Sequence, residues 1–141
     1  MTTAREVMHR GCECLSINEN LTTAARRMAE MDVGALPVCG EDGRLKGIIT
    51  DRDIVVKAIA QGRNPSDCRA GELVGEGEVW YVDAGSDIES VLHEMAEHRI
   101  RRLPVLEENE LVGIISQADL AAKLPDEMVG ELVTAISVTS H

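Results

Sequence analysis

One unit is written twice in this chain, and no other feature constrains the fold as much. Val33-Gly34-Ala35-Leu36-Pro37-Val38, followed by Gly47-Ile48-Ile49-Thr50-Asp51-Arg52-Asp53, returns as Ile100-Arg101-Arg102-Leu103-Pro104-Val105 and Gly113-Ile114-Ile115-Ser116-Gln117-Ala118-Asp119. Val7 aligns with Val74, Met28 with Met95, Leu36 with Leu103 and Pro37 with Pro104, each 67 residues on. After a hairpin one residue shorter, Gly47, Thr50 and Asp53 meet Gly113, Ser116 and Asp119 at an offset of 66. A half of this length buries too little surface to be comfortably stable alone, so two halves packed as a pair are expected.

Each half reads as β-α-β-β-α. Residues 4–8 suggest a helical turn and Cys12 to Ile17 a strand. From Leu21 the apolar positions Leu21, Ala24, Ala25, Met28 and Met31 keep the spacing of one helical face. Ala35–Cys39 reads as a short strand in which Pro37 must sit near the start or at an unpaired position. Asp42-Gly43 marks a hairpin, Leu45 to Thr50 the returning strand, and Asp51 to about Ala60 a helix closed by Gly62. In the second half Ser86 and Glu89 have capping-box spacing ahead of Ile88, Val91, Leu92 and Met95. The expected division is residues 1–62, a linker at 63–70, a second repeat at 71–124, and a tail at 125–141. In that tail Met128, Leu132, Val133 and Ile136 share a helical face that docks on the core or on a neighbouring subunit.

Composition narrows the function. The apolar fraction is 44%, yet Phe is absent and Trp80 and Tyr81 are the only aromatics, so the core must be aliphatic and methionine-rich. A formal charge of −11 argues against nucleic acid as a partner, whose affinity is built from Lys and Arg on phosphates. Arg99, Arg101 and Arg102 form a local basic cluster suited to one bound anion. No basic segment leads into an apolar one at the N-terminus, and no apolar run approaches the roughly 20 residues of a membrane helix. The expectation is a cytoplasmic protein without a membrane partner.

The Val-Met near the start, the helix with Met-Ala-Glu, the Leu-Pro-Val strand, the Asp-Gly hairpin and the Gly-Ile-Ile-Thr/Ser-x-x-Asp ending resemble the CBS domain family, the cystathionine-β-synthase-type repeat that occurs in pairs. Both copies fit. With no other domain attached, the chain is similar to the stand-alone pairs of the hypoxic response protein class of actinobacteria. The resemblance implies an α/β (α+β) pseudo-twofold pair of repeats with clefts between the halves. It also implies AMP, ADP, ATP or another adenosyl ligand in those clefts, a homodimer, and a regulatory role, in stress or hypoxia, exerted on an effector protein that the sequence does not identify.

Thr50-x-x-Asp53 and Ser116-x-x-Asp119 have a physical case of their own. A hydroxyl at a strand end and a carboxylate three residues on, at a helix mouth, set one group beside N–H donors that attract phosphate and another where it accepts from ribose hydroxyls. The same spacing is a helix capping box, and the two readings are compatible. Arg102, just before the Leu-Pro strand, is the expected phosphate partner, since guanidinium pairs well with phosphate oxygens. Its counterpart is Ala35, which weakens the first cleft; Arg52 is either a compensating cation or a solvated side chain. Leu15, Ile17 and Val82 are either an adenine slot or ordinary core, and Trp80 and Tyr81 either stack on a base or fill an interface, the interface being the safer reading.

The remaining chemistry is sparse. Cys14 and Cys39 fall on parallel neighbouring strands of a β-α-β unit, where a disulfide is geometrically reasonable, while a reducing cytosol favours free buried thiols. His9, Cys12 and Cys14 are near enough to be weak metal-ligand candidates but lack a fourth ligand, as do His93 and His98, so no metal is expected. No nucleophile elbow, P-loop or His-Glu-x-x-His is present, and catalysis is not expected. The rival to a ligand sensor is a protein-interaction dimer whose clefts are empty and whose caps are only caps.

Overall fold

The computed structural model describes residues 2–10, 13–74 and 79–137, with Ile136 and Ser137 described by backbone alone. In chain order the elements are α1 (Ala4–Val7), β1 (His9–Arg10), β2 (Leu15–Ser16), α2 (Leu21–Met31), β3 (Ala35–Cys39), β4 (Leu45–Thr50) and α3 (Asp51–Asp53), followed by α4 (Ala70–Val74), β5 (Val82–Asp83), α5 (Ile88–His98), β6 (Arg102–Glu107), β7 (Glu110–Ser116), α6 (Gln117–Lys123) and α7 (Asp126–Ser137). Past Asp53 the helix continues without a break, widening to π geometry over Ile54–Ala58 and tightening over Ile59–Gln61. Gly62, at φ +76°, closes it in the left-handed conformation that glycine adopts without steric cost.

These elements form two α+β units, Glu13–Val79 and Met1–Cys12 with Trp80–His141. The first holds a three-stranded sheet in the order β2-β3-β4, the second a four-stranded sheet in the order β1-β7-β6-β5. In both, a parallel pair is joined through a helix and an antiparallel pair through a hairpin. β2 reaches only Val38 and Cys39, and β5 only Val105 and Leu106. On that side of the sheet Pro37 and Pro104 are therefore unpaired, where a missing N–H costs no ladder bond. The first hairpin turns on Gly43 at φ +78°; the shorter second one places Glu108 and Asn109 at φ +52° and +66°, the pattern of a two-residue hairpin turn.

The packing units cut across the sequence repeat. The opening helix of each repeat lies in the other repeat's unit: α4 buries Ala70 and Leu73 among Leu15, Leu21, Leu36 and Val38, and α1 buries Ala4 and Val7 among Val82, Leu103 and Val105. Matching backbone bonds fix both. Ala70 and Gly71 donate to the carbonyls of Glu19 and Ile17 at 2.8 and 2.9 Å, and Ala4 and Arg5 donate to those of Ser86 and Ala84 at 2.8 and 3.0 Å. This corrects the register at the start of the repeat. Val7 corresponds to Leu73 and Met8 to Val74, because the side chain that enters the core, and not the matching residue name, defines equivalence.

Two further expectations change. α5 is capped by Asp87, which accepts from the Ser90 N–H at 2.8 Å, as Asn20 caps α2 from the Thr23 N–H at 2.8 Å. The Ser86–Glu89 box does not form, since Ser86 precedes the cap and its carbonyl holds α1. The expected strand at Cys12 to Ile17 is reduced to Leu15–Ser16, Cys12 lying outside the described residues, and His9–Arg10 instead pairs antiparallel with β7. The tail folds as α7 and docks on its own unit, with Leu132 buried and Met128 packed against the same core. No helix among the described residues is long and apolar enough to cross a membrane.

Candidate ligand site

In the second unit β6 and β7 pair in a register that sets Arg102 opposite Ser116 and Leu103 opposite Ile115. Directly opposed residues of an antiparallel pair project to the same face, about 5 Å apart at Cβ. Leu103 and Ile115 are fully buried in the core. Arg102 and Ser116 consequently share the other face, both half-buried. Among the described residues Arg102 has no ion-pair partner.

Ser116 ends β7 and caps α6. Its Oγ accepts from the Asp119 N–H at 3.1 Å, and Asp119 Oδ2 accepts from the Ser116 N–H at 2.9 Å and from the Ser116 hydroxyl at 2.9 Å. The Gln117 N–H is taken by the Arg101 carbonyl at 2.9 Å. All of this capping falls on one carboxylate oxygen, so Oδ1 of Asp119 and the Ala118 N–H keep their hydrogen-bonding capacity among the described residues. Lys123, one turn along, donates to the Val7 carbonyl at 3.3 Å rather than to Asp119.

The first unit builds the same frame with different chemistry. Ala35 stands opposite Thr50. Thr50 Oγ1 accepts from the Asp53 N–H at 3.0 Å, and Asp53 Oδ2 accepts from the Thr50 N–H at 2.9 Å. Here the other carboxylate oxygen is occupied, with Lys57 Nζ 3.3 Å from Oδ1. The Arg52 N–H, equivalent to that of Ala118, is filled by Asp51 Oδ1 at 2.8 Å. Arg52 itself is exposed. The sequence reading found the caps and the Arg102/Ala35 difference but missed Asp51/Gln117 and Lys57/Lys123. The signal was the charge at equivalent repeat positions, and which way each lysine turns was not available from spacing.

The other candidates separate. Leu15 and Val82 are core, while Ile17 is half-buried and lies 3.1 Å from where a Cβ at Gly71 would stand. Trp80 stacks on His98, ring centroids 3.5 Å apart and planes at 11°, and Tyr81 is exposed. Cys14 and Cys39 stand with Cα atoms 5.7 Å apart, within the separation a disulfide spans, and Cys68 is a buried free thiol. His9 is exposed on β1.

Comparison with known proteins agrees with this architecture. The CBS domain family profile matches residues 4–59 and 71–126. Hypoxic response protein 1 of Mycobacterium tuberculosis is 48% identical over 136 residues, 96% of this chain and 94% of that protein. A crystal structure of hypoxic response protein I with two coordinated zinc ions matches with a TM-score of 0.78 at 50% identity, over 88% of this chain and all of that one. The CBS domain protein PAE2072 from Pyrobaculum aerophilum, complexed with AMP, shares the fold with a TM-score of 0.75 at 21% identity, over 94% and 98% of the two chains. With two profile matches spanning most of its length and a relative sharing nearly half its residues, the chain belongs to the CBS domain family.

Proposed function

We propose that the protein is a regulatory ligand sensor in which Arg102, Ser116 and Asp119 take an adenosine nucleotide or a related adenosyl anion. One observation carries the reading: the β6–β7 register sets a guanidinium with no ion-pair partner among the described residues beside a capped helix start whose aspartate retains a free oxygen. The guanidinium suits a phosphate, and the aspartate oxygen suits ribose hydroxyls. Thr50 and Asp53 form a weaker site, because Ala35 supplies no cation, Lys57 occupies Asp53, and the Asp51 carboxylate repels an anion. The AMP complex of PAE2072 supports the choice of ligand only through the shared fold. The 48% identity with hypoxic response protein 1 supports a role in the response to low oxygen.

A sensor acts only when its ligand prefers one arrangement over another, and that difference is what an effector protein reads. We further propose a cytoplasmic homodimer. Val55, Val56 and Ile59 are 54%, 42% and 53% exposed on the helix after β4, a row of apolar side chains of the kind interfaces cover. The alternative of an interaction protein with empty clefts is favoured by one observation, that both capping boxes are complete without any ligand. Thermal unfolding with AMP, ADP, ATP, S-adenosylmethionine and NADH separates the two. A midpoint that rises with ligand concentration, and fails to rise in Asp119→Ala, is the sensor's signature; a folded protein indifferent to all five belongs to the alternative.

A further inference from the structure

Lysines at equivalent positions of the two repeats turn in different directions. Lys57 precedes Lys123 at the same offset of 66 by which Asp53 precedes Asp119. In the first unit Lys57 Nζ lies 3.3 Å from Asp53 Oδ1, one turn back along its helix. In the second, Lys123 Nζ donates to the Val7 carbonyl at 3.3 Å, and no ion pair joins it to Asp119. Residues i and i+4 are neighbours on a helix surface, so each lysine has its aspartate within reach. What differs is the surroundings. α1 packs against α6 and β7, which brings its last carbonyl to Lys123, whereas α4 packs against β2, β3 and β4. The final carbonyls of a helix have no partner inside it, and a lysine is a favourable one.

We propose that docking of α1 regulates the Arg102–Ser116–Asp119 site through Lys123. With α1 in place the lysine is held on Val7, and Asp119 Oδ1 stays open to a ligand. With α1 undocked the lysine turns to Asp119, as Lys57 has turned to Asp53, and the site takes the closed form of the first unit. This regulation rests on the nucleotide reading of that site. Lys123 is a positioning residue: it touches no ligand and acts by where it leaves the Asp119 oxygen. The coupling is reciprocal, since a nucleotide on Asp119 denies the undocked lysine its partner and favours docked α1 by the same factor. A surface lysine–carboxylate pair sets that factor at about two- to fivefold.

α1 is suited to move. It has only four residues, a length with no helical stability of its own. Its docking rests chiefly on the burial of Ala4 and Val7, the backbone bonds to Ser86 and Ala84, the exposed Arg5–Glu107 ion pair and Lys123 itself. An element held by so few contacts opens without global unfolding. An effector that draws α1 away therefore lowers nucleotide affinity without touching the site.

The test uses the full chain and AMP. Ala4→Asp puts a carboxylate where the helix has a fully buried methyl and undocks α1, which rapid hydrogen exchange of the Arg5 amide verifies. Calorimetry is expected to give Ala4→Asp an AMP affinity about two- to fivefold below wild type, and to return the wild-type value in Ala4→Asp/Lys123→Met. Lys123→Met alone binds as the wild type does, and lost packing alone would depress Ala4→Asp and the double variant equally. Should Ala4→Asp fail to fold or to undock, exchange in the wild type and Lys123→Met decides. Saturating AMP slows the Arg5 amide about two- to fivefold in the first and leaves it unchanged in the second. Wild-type affinity in undocked Ala4→Asp, equal losses in that variant and the double variant, or an Arg5 exchange rate that bound AMP does not alter in the wild type overturns the regulation and leaves the site standing. A folded wild type that binds no AMP removes the site and this regulation with it.

Discussion

The two repeats share a frame and differ in what they hang on it. Both end a strand in a hydroxyl-carboxylate cap, both bury a Leu-Pro-Val strand, and both receive the other repeat's opening helix. Around the cap, however, one unit has Ala35, Asp51 and a Lys57-bound Asp53 where the other has Arg102, Gln117 and a half-free Asp119. The capping box is what the fold needs at that position, so it persists in both. Charge around it is free to vary without structural cost, and there the two sites diverge. A second contrast runs the other way. Cys14, just before β2, and Cys39, at the end of β3, stand at disulfide spacing, whereas the corresponding Tyr81 and Leu106 offer no thiols.

Substitutions can separate frame from chemistry. The frame predicts that Leu36→Ala and Leu103→Ala, each emptying a site at most 2% exposed, cost similar amounts, about 2–5 kcal/mol in urea unfolding. A large inequality would mean that the cores are not equivalent. Closing a loop with a sequence separation of 25 residues stabilises by about 3 kcal/mol in the chain-entropy account, so reduction should lower the stability of the oxidised protein by that order. The Cys14→Ala/Cys39→Ala double variant should then be indifferent to reductant.

Smaller effects sharpen the contrast. A Cβ at Gly113 would lie 2.9 Å from the His9 carbonyl oxygen and 2.5 Å from Met8 Sδ, whereas one at Gly47 would meet the Val74 side chain at 3.1 Å. Gly113→Ala should therefore cost about 1–3 kcal/mol in urea unfolding and Gly47→Ala less, because only the first pushes against backbone. Asp53→Ala and Asp119→Ala each remove half of a capping box and should each cost about 1 kcal/mol. Only the second should abolish a nucleotide-dependent rise in the unfolding midpoint.

The smallest effect concerns pH. The Arg69 N–H, and then Arg63, hold the Glu72 carboxyl below its ordinary value of 4.5. That contribution is complete above the ordinary value and is lost as pH falls through the depressed one. Stability measured from pH 7 downward should show wild type and Glu72→Gln converging in the acid range, with their largest separation near neutrality.

What could be read from the sequence was whatever repeats or has a fixed spacing. The period exposed both units, and the Thr50–Asp53 and Ser116–Asp119 caps followed from their three-residue spacing. Exchange of the opening helices was hidden, because a four-residue turn such as Ala4–Val7 shows an apolar side but not which core it enters. The one-residue register error at Val74 has the same origin. Ser86 and Asp87 are both good caps, and only the bond from Ala4 to the Ser86 carbonyl decides between them. β1 was invisible, since two exposed polar residues carry no alternation. At the site, Arg102 was legible as an exception to the repeat, while the opposite turns of Lys57 and Lys123 depend on α1 bringing the Val7 carbonyl within reach.

The most direct test is calorimetric titration of AMP into the wild type, Arg102→Ala and Asp53→Ala. The asymmetry described above predicts binding by the wild type, a loss of tenfold or more in Arg102→Ala from the removed charge-assisted hydrogen bond, and near-wild-type affinity in Asp53→Ala. Binding that survives Arg102→Ala but is lost in Asp53→Ala, or a folded wild type that takes up no AMP at all, would contradict it.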